Sequence, residues 1–160
     1  MKVTWVFPGQ GSQKIGMANK IINLPNAKDK FNYASNIFGK NLFKICEQFP
    51  ENNNLDEDLN DTKNTQICLF LVESVLLDSL KKNGYKPNFV AGHSLGEITA
   101  LYCAGVLSFE DSLLLIKERS KLMADSEKGS MAALIGFDRN QLELLVDEID
   151  EIVIANDNSD

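Results

Sequence analysis

The stretch Gly92-His93-Ser94-Leu95-Gly96 carries the strongest chemical signal in the chain. A serine with glycine two residues before and two after suits a sharp bend between a strand and a helix. At such a bend the two flanking positions lie against each other, so both must be small. The hydroxyl then stands exposed at the end of the sheet. The helix N-terminus beneath it offers free backbone N–H groups that can hold a developing oxyanion. This is a layout for nucleophilic attack by Ser94 on an acyl carbonyl. A Gly-x-Ser-x-Gly arises by chance in a chain of this length with a probability of roughly 4%. The setting lowers that figure, because a short apolar run at 89–91 precedes it and helical periodicity starts at Leu95. The plainer reading is a pair of turn glycines and a helix-capping serine.

Pro8-Gly9-Gln10-Gly11-Ser12-Gln13 is the second candidate. By itself it is a flexible strand-to-helix turn. It meets neither phosphate-loop spacing, G-x-x-x-x-G-K-[ST] or G-x-G-x-x-G. In an α/β-hydrolase-like sheet, however, the second oxyanion N–H comes from a loop after a neighbouring strand. Gln10 is the natural donor there. The chain has a single histidine, His93. It cannot serve Ser94 as general base, because neighbouring side chains at a tight turn diverge and a base needs a reach of about 2.6–3.2 Å. His93 is read as packing or hydrogen bonding beside the bend. Cys46, Cys68 and Cys103 are odd in number, widely spaced and lack C-x-x-C. They read as buried free thiols of a reducing cytoplasm, with no metal site among them.

These motifs need a sheet and helices to hold them. Residues 2–7 read as a buried strand, with Val3, Trp5 and Phe7 on one face and Val6 filling the other. Helical segments are expected at 15–22, 27–38 and 42–49, and an acidic surface loop at 51–64. Residues 66–82 form the strongest helix: Asn64 or Thr65 can cap it, Lys81 and Lys82 suit its dipole, and Gly84 can follow its end. Apolar residues cover most of its circumference, which places it in the middle of a core. A strand at 89–91 is followed by helices at 95–104 and 109–124, the latter capped by Ser108. Beyond 126 the texture changes to a strand at 131–135, a helix at 140–149 capped by Asp138, and a strand at 152–155. The order predicts an α/β fold: an α/β-hydrolase-like parallel sheet with a nucleophile elbow over 1–126. Residues 127–160 are expected to open a small ferredoxin-like α+β subdomain. A lone βαβ cannot bury both faces of its strands, so neither part is expected to be complete.

Composition narrows the function classes. Over 160 residues the net charge is −7, with 44% apolar and 24% charged residues, values of an ordinary globular protein. The acidic balance disfavours nucleic-acid binding, since no Lys/Arg stripe could neutralise phosphates. The longest apolar run, 67–72, is far below the about 20 residues of a bilayer span. The first residues reach Pro8-Gly9 too soon for a secretory h-region, so the expected location is cytoplasmic.

Taken together, Phe7-Pro8-Gly9-Gln10-Gly11-Ser12-Gln13 and Gly92-His93-Ser94-Leu95-Gly96-Glu97 resemble the acyl-carrier-protein S-malonyltransferases. These are the malonyl-CoA transacylases of fatty-acid synthesis, with polyketide-synthase acyltransferase domains as close relatives. Further matches come in the family's order: Thr65-Gln66, Arg119-Ser120-Lys121-Leu122-Met123, Gly129-Ser130-Met131-Ala132-Ala133 and Ala155-Asn156-Asp157-Asn158-Ser159. The resemblance covers all of this chain but only the family's first half.

The resemblance implies that Ser94 attacks malonyl-CoA and passes the malonyl group to the phosphopantetheine thiol of acyl carrier protein, without metal or cofactor. It implies an oxyanion hole from the backbone N–H groups of Gln10 and Leu95. It implies that Arg119 pairs with the free malonyl carboxylate, a role suited to a planar guanidinium. Gln66 matches a polar residue lining the family's site, and Asn158 falls in an Asn-Ser turn near the pocket. The family's general base is a histidine of its second half, which has no counterpart here. The chain is therefore expected to be an N-terminal part with little or no turnover alone. Other readings are a serine esterase or lipase using the same elbow, and a non-catalytic module that binds the carrier protein. The −7 charge counts against the last, because carrier proteins are themselves acidic.

Overall fold

Strands β1 (Thr4–Phe7) and β2 (Phe89–Gly92) pair in parallel, with Thr4 opposite Phe89 and Phe7 opposite Gly92. Parallel strands need a crossover, and the long helical connection between them supplies it. The computed structural model describes residues 2–49, 55–126 and 129–157. Part of the expected loop at 51–64, and Asn158, lie outside the described residues. The chain divides into two units, Met1–Ser126 and Glu127–Asp160.

In the first unit the crossover contains α1 (Ala27–Phe38), α2 (Leu42–Glu47) and α3 (Thr62–Lys82), and β2 leads into α4 (Leu95–Ala104) and α5 (Phe109–Ala124). As its apolar circumference requires, α3 runs through the middle of the core. Phe70 and Leu71 of α3 share that core with Phe31 of α1, Leu42 of α2, and Leu113 and Ile116 of α5, all fully buried. Lys30 of α1 crosses to α3, where its ammonium meets Asp78 Oδ2 at 2.5 Å beneath the rings of Tyr102 and Phe109. The sheet's inner face, Trp5, Phe7 and Val90, packs on Leu77, Ala100 and Cys103. Its outer face is open: Val6 is 70% and Phe89 55% exposed, so Val6 does not fill a second buried face as expected.

Several local expectations change. Residues 15–22 form successive turns, not a helix. Gly16 takes φ 82, which right-handed helices exclude, and Asn19 N–H donates to Gly16 O at 3.1 Å. The first helix after β1 is thus α1. Asp61 caps α3 instead of Asn64 or Thr65, accepting from Lys63 N–H at 2.8 Å, so the helix starts a turn earlier. Asn64 and Thr65 are buried and bind the preceding segment instead, Asn64 through the carbonyls of Asp56 and Asp58 and Thr65 through that of Leu59. Ser108 caps α5, accepting from Asp111 N–H at 3.0 Å. The second unit contains α6 (Arg139–Glu148), capped by Asp138 through Gln141 N–H at 3.0 Å. Residues 131–135 and 152–155, expected as strands, join no ladder among the described residues. A strand is stabilised by the faces it buries, and here Ile135 is 96% and Val153 78% exposed.

One buried charge makes a stability prediction. Glu73 of α3 lies against α4, where Thr99 Oγ1 donates to its Oε2. Its Oε1 is buried without a partner among the described residues. Burial pushes the carboxyl up to about 7, against the Thr99 hydrogen bond that favours ionisation. The folded state thus holds a proton that the unfolded chain releases near pH 4.5. This stabilisation is full below that pH and is lost as pH rises through about 7. Denaturant titrations should show stability falling by about 3 kcal/mol across that window through this group. Glu73→Gln, which mimics the protonated acid, should flatten that part of the profile. An unchanged profile would show that Glu73 does not carry it.

Candidate functional site

The parallel register brings the C-terminal ends of both strands together, so the loops that leave them meet at one end of the sheet. His93 N–H donates to Phe7 O at 3.0 Å, extending the pairing to the start of the bend. The glycines show how tightly the chain is folded there. A Cβ on Gly92 would lie 2.0 Å from Gly96 C and O, and one on Gly96 would lie 2.1 Å from Phe7 O. A Cβ on Gly9 would lie 2.5 Å from His93 O and 3.3 Å from Ser94 Cβ. The loop after β1 is therefore packed directly on the Ser94 bend.

Ser94 sits between β2 and α4 at φ 53, ψ −109, a conformation that side chains rarely adopt. Such strain costs of order 1–3 kcal/mol, and neighbouring packing must hold it. Ser94 is exposed, whereas Leu95 and Gly96 behind it are buried. Leu95 opens α4, where first-turn N–H groups have no intrahelical acceptor.

Arg119 of α5 reaches this oxygen. Its Nη2 donates to Ser94 Oγ at 3.0 Å, and its Nη1 donates to Gln66 Oε1. Gln66 is fully buried on α3, and its Nε2 contacts Met123 Sδ at 3.3 Å and Thr62 Oγ1 at 3.5 Å. Thr62 Oγ1 donates to Gln10 Oε1 at 2.7 Å. A continuous polar chain thus runs Ser94–Arg119–Gln66–Thr62–Gln10. It joins the bend, α5, α3 and the loop after β1. The sequence-derived residues Ser94, Leu95, Arg119, Gln66 and Gln10 all fall in this region. Among the described residues no carboxylate pairs with Arg119, and Ser94 Oγ meets only this cation, which cannot accept its proton.

Thr62 and Met123 take part without having been singled out from the sequence as site residues. The available signal was helical spacing: Thr62 precedes Gln66 by one turn and Met123 follows Arg119 by one turn.

These observations define an α/β protein with a strained, exposed serine and a half-buried guanidinium at the C-terminal end of parallel strands. The chain belongs to the acyl transferase domain family, whose model matches residues 4–160. The malonyl CoA-acyl carrier protein transacylase of Synechocystis sp. is 46% identical over 160 residues, covering 99% of this chain and 52% of the relative. The crystal structure of the Synechocystis sp. PCC 6803 malonyl-CoA:ACP transacylase matches at a TM-score of 0.89 and 45% identity, over 99% of this chain and 52% of that one. A type II polyketide malonyl-transacylase, solved in complex with its acyl-carrier protein, matches at a TM-score of 0.81 and 33% identity, over 94% and 49%. The chain spans about half the length of the curated relatives it matches.

Proposed function

We propose that this chain carries the nucleophile and the carboxylate-recognition part of a malonyl-CoA:acyl-carrier-protein transacylase. The observation that carries the reading is Arg119, a half-buried cation on the oxygen of Ser94 that pairs with no carboxylate among the described residues. An acyl group bearing a free carboxylate supplies that missing partner while its thioester carbonyl meets Ser94. This favours malonyl transfer over hydrolysis of a neutral ester. The bend at 92–96 acts as a nucleophile elbow. The N–H groups of Leu95 and Gln10 hold the oxyanion, supported by the start of α4 at Leu95 and by the packing of Gly9 on the bend.

Attack by Ser94 Oγ on the thioester carbon breaks the C–S bond and releases CoA as the thiol. The acyl-serine then gives the malonyl group to the phosphopantetheine thiol of acyl carrier protein, regenerating the hydroxyl. The Ser94 proton needs a base that Arg119 cannot be, and the resemblance assigns one to the family's second half. The chemistry needs no cofactor or metal, and its substrates belong to the cytoplasm. In this reading residues 1–126 are the hydrolase-like core. Residues 127–160 open a ferredoxin-like subdomain whose strands form once partners cover them, and the family resemblance assigns Asn158 to substrate binding.

The test joins residues 1–160 to the second half of the Synechocystis relative and follows malonyl transfer to carrier protein. The chimera should turn over, and Ser94→Ala should abolish acyl-enzyme formation. The chain alone should be slower by at least about 100-fold, the low end of what a general base contributes. Transfer that survives Ser94→Ala would refute the reading.

A further inference from the structure

The loop after β1 is tied at two points to the segment that starts α3. Thr62 Oγ1 donates to Gln10 Oε1 at 2.7 Å, and Gln13 Nε2 donates to Asn60 Oδ1 at 3.1 Å. Gln13 Oε1 in turn accepts from Gly11 N–H at 2.8 Å, so the second tie also shapes the loop's backbone.

Thr62 faces the other way as well. A hydroxyl has one proton to give and can accept in return. With that proton on Gln10, Thr62 Oγ1 is left as an acceptor for Gln66 Nε2 at 3.5 Å. Met123 Sδ is a second acceptor for the same nitrogen at 3.3 Å. The two acceptors fix which end of the buried Gln66 amide is oxygen, and that oxygen is the one Arg119 Nη1 grips. A reversed amide would turn its N–H₂ toward the guanidinium, donor against donor.

We infer that Thr62 is a positioning residue: its hydroxyl holds the Gln10 loop and sets the Gln66 amide that presents its oxygen to Arg119. The roles of Gln10 and Arg119 rest on the proposed transacylase reading, but the coupling itself is a matter of hydrogen bonds. It explains why a threonine stands one turn before Gln66 at the mouth of α3. One hydroxyl keeps a loop from β1 in register with a guanidinium from α5.

The experiment uses the 160-residue chain by NMR, comparing Thr62→Val, which deletes the hydroxyl, with Thr62→Ser, which keeps it. Thr62→Val should speed amide exchange at Gln10 to Gln13 about five- to tenfold, the loss of one hydrogen bond. It should also shift the Gln66 side-chain N–H₂ signals. Thr62→Ser should restore both, and α6 should not respond. Gln10→Leu breaks the same bond from the loop side without touching α3, and it should speed exchange at Gly11 to Gln13 in the same way. Unchanged exchange in Thr62→Val and Gln10→Leu, or a Thr62→Ser that behaves like Thr62→Val, overturns the inference. Sodium malonate, followed at the Arg119 Nε signal, tests the carboxylate reading separately. A wild-type signal that malonate does not move refutes that reading and leaves the exchange result to decide the role of Thr62.

Discussion

Gly96→Ala should destabilise the first unit by about 3 kcal/mol or more, and Gly92→Ala by as much. The reason is which atoms the new methyl group meets. At Gly96 they are Phe7 O at 2.1 Å, Phe7 C at 2.6 Å and Pro8 O at 2.7 Å, all main chain. At Gly92 they are Gly96 C and O at 2.0 Å and Glu97 N at 2.3 Å, again main chain. A flexible side chain could swing away, but these atoms are fixed by the sheet and the first turn of α4. Relief requires α4 to part from β1 in the Gly96 variant, which also opens the packing of Phe7 on Ala100 and Cys103, and from the end of β2 in the Gly92 variant. A domain of this size has roughly 5–15 kcal/mol in total, so the loss is a large share. Gly129→Ala is the control, since a Cβ there meets nothing within 4 Å and the backbone has no positive φ. Denaturation midpoints of the three variants decide the matter. A Gly96→Ala protein within about 0.5 kcal/mol of wild type would contradict this account of the bend.

The same main-chain contacts explain why the site was more legible than its surroundings. Gly92 and Gly96 could be read from the sequence because their constraint is local and steric. Two main-chain segments touch, only glycine fits, and the spacing on either side of Ser94 records it. The cap of α5 at Ser108 and the cap of α6 at Asp138 were equally local, and both appear as the sequence suggests. The start of α3 was not local in that way. Asn64 and Thr65 are good caps by residue type, yet burial draws their side chains to the carbonyls of Asp56, Asp58 and Leu59, and Asp61 takes the cap. At 15–22 the apolar spacing of Ile15, Ala18, Ile21 and Ile22 mimics a helix, but Gly16 at φ 82 turns the chain. Ala18 and Ile21 still reach the core, so the pattern reported burial correctly and conformation wrongly.

The segments 131–135 and 152–155 failed for a different reason. Their apolar, β-branched composition states a preference, and a strand needs a neighbour to realise it. Among the described residues of Glu127–Asp160 there is one helix and little else to pack on, and no residue of α6 is buried. The outer face of β1 and β2 poses the same problem, with Val6 and Phe89 uncovered. The Synechocystis relative and its crystal structure are about twice this length. Sequence pattern records what a residue is suited to, whereas the exposed surface records what this stretch of chain can satisfy by itself.

Arg119→Ala should cost the joined enzyme its preference for malonyl-CoA over acetyl-CoA, lowering the ratio of kcat/KM values by about 100- to 1,000-fold. That corresponds to about 3–4 kcal/mol, within the range for removing one partner of a desolvated charge pair. Two N–H groups of the guanidinium are engaged, one on Gln66 Oε1 and one on Ser94 Oγ. Five are available, so the others can grip a carboxylate without releasing the first two contacts. In the proposed reading Gln66 holds the plane of the guanidinium, and its contact with Ser94 sets how far it lies from the thioester carbon. An acetyl group has no carboxylate and gains nothing from this arrangement, so its rate should fall far less than that of malonyl. Arg119→Lys should recover only part of the preference. A single ammonium cannot serve Gln66, Ser94 and a bidentate carboxylate from one point. Equal losses for both substrates would mean that Arg119 acts on Ser94 alone, and an unchanged ratio would remove the carboxylate clamp from the proposed function.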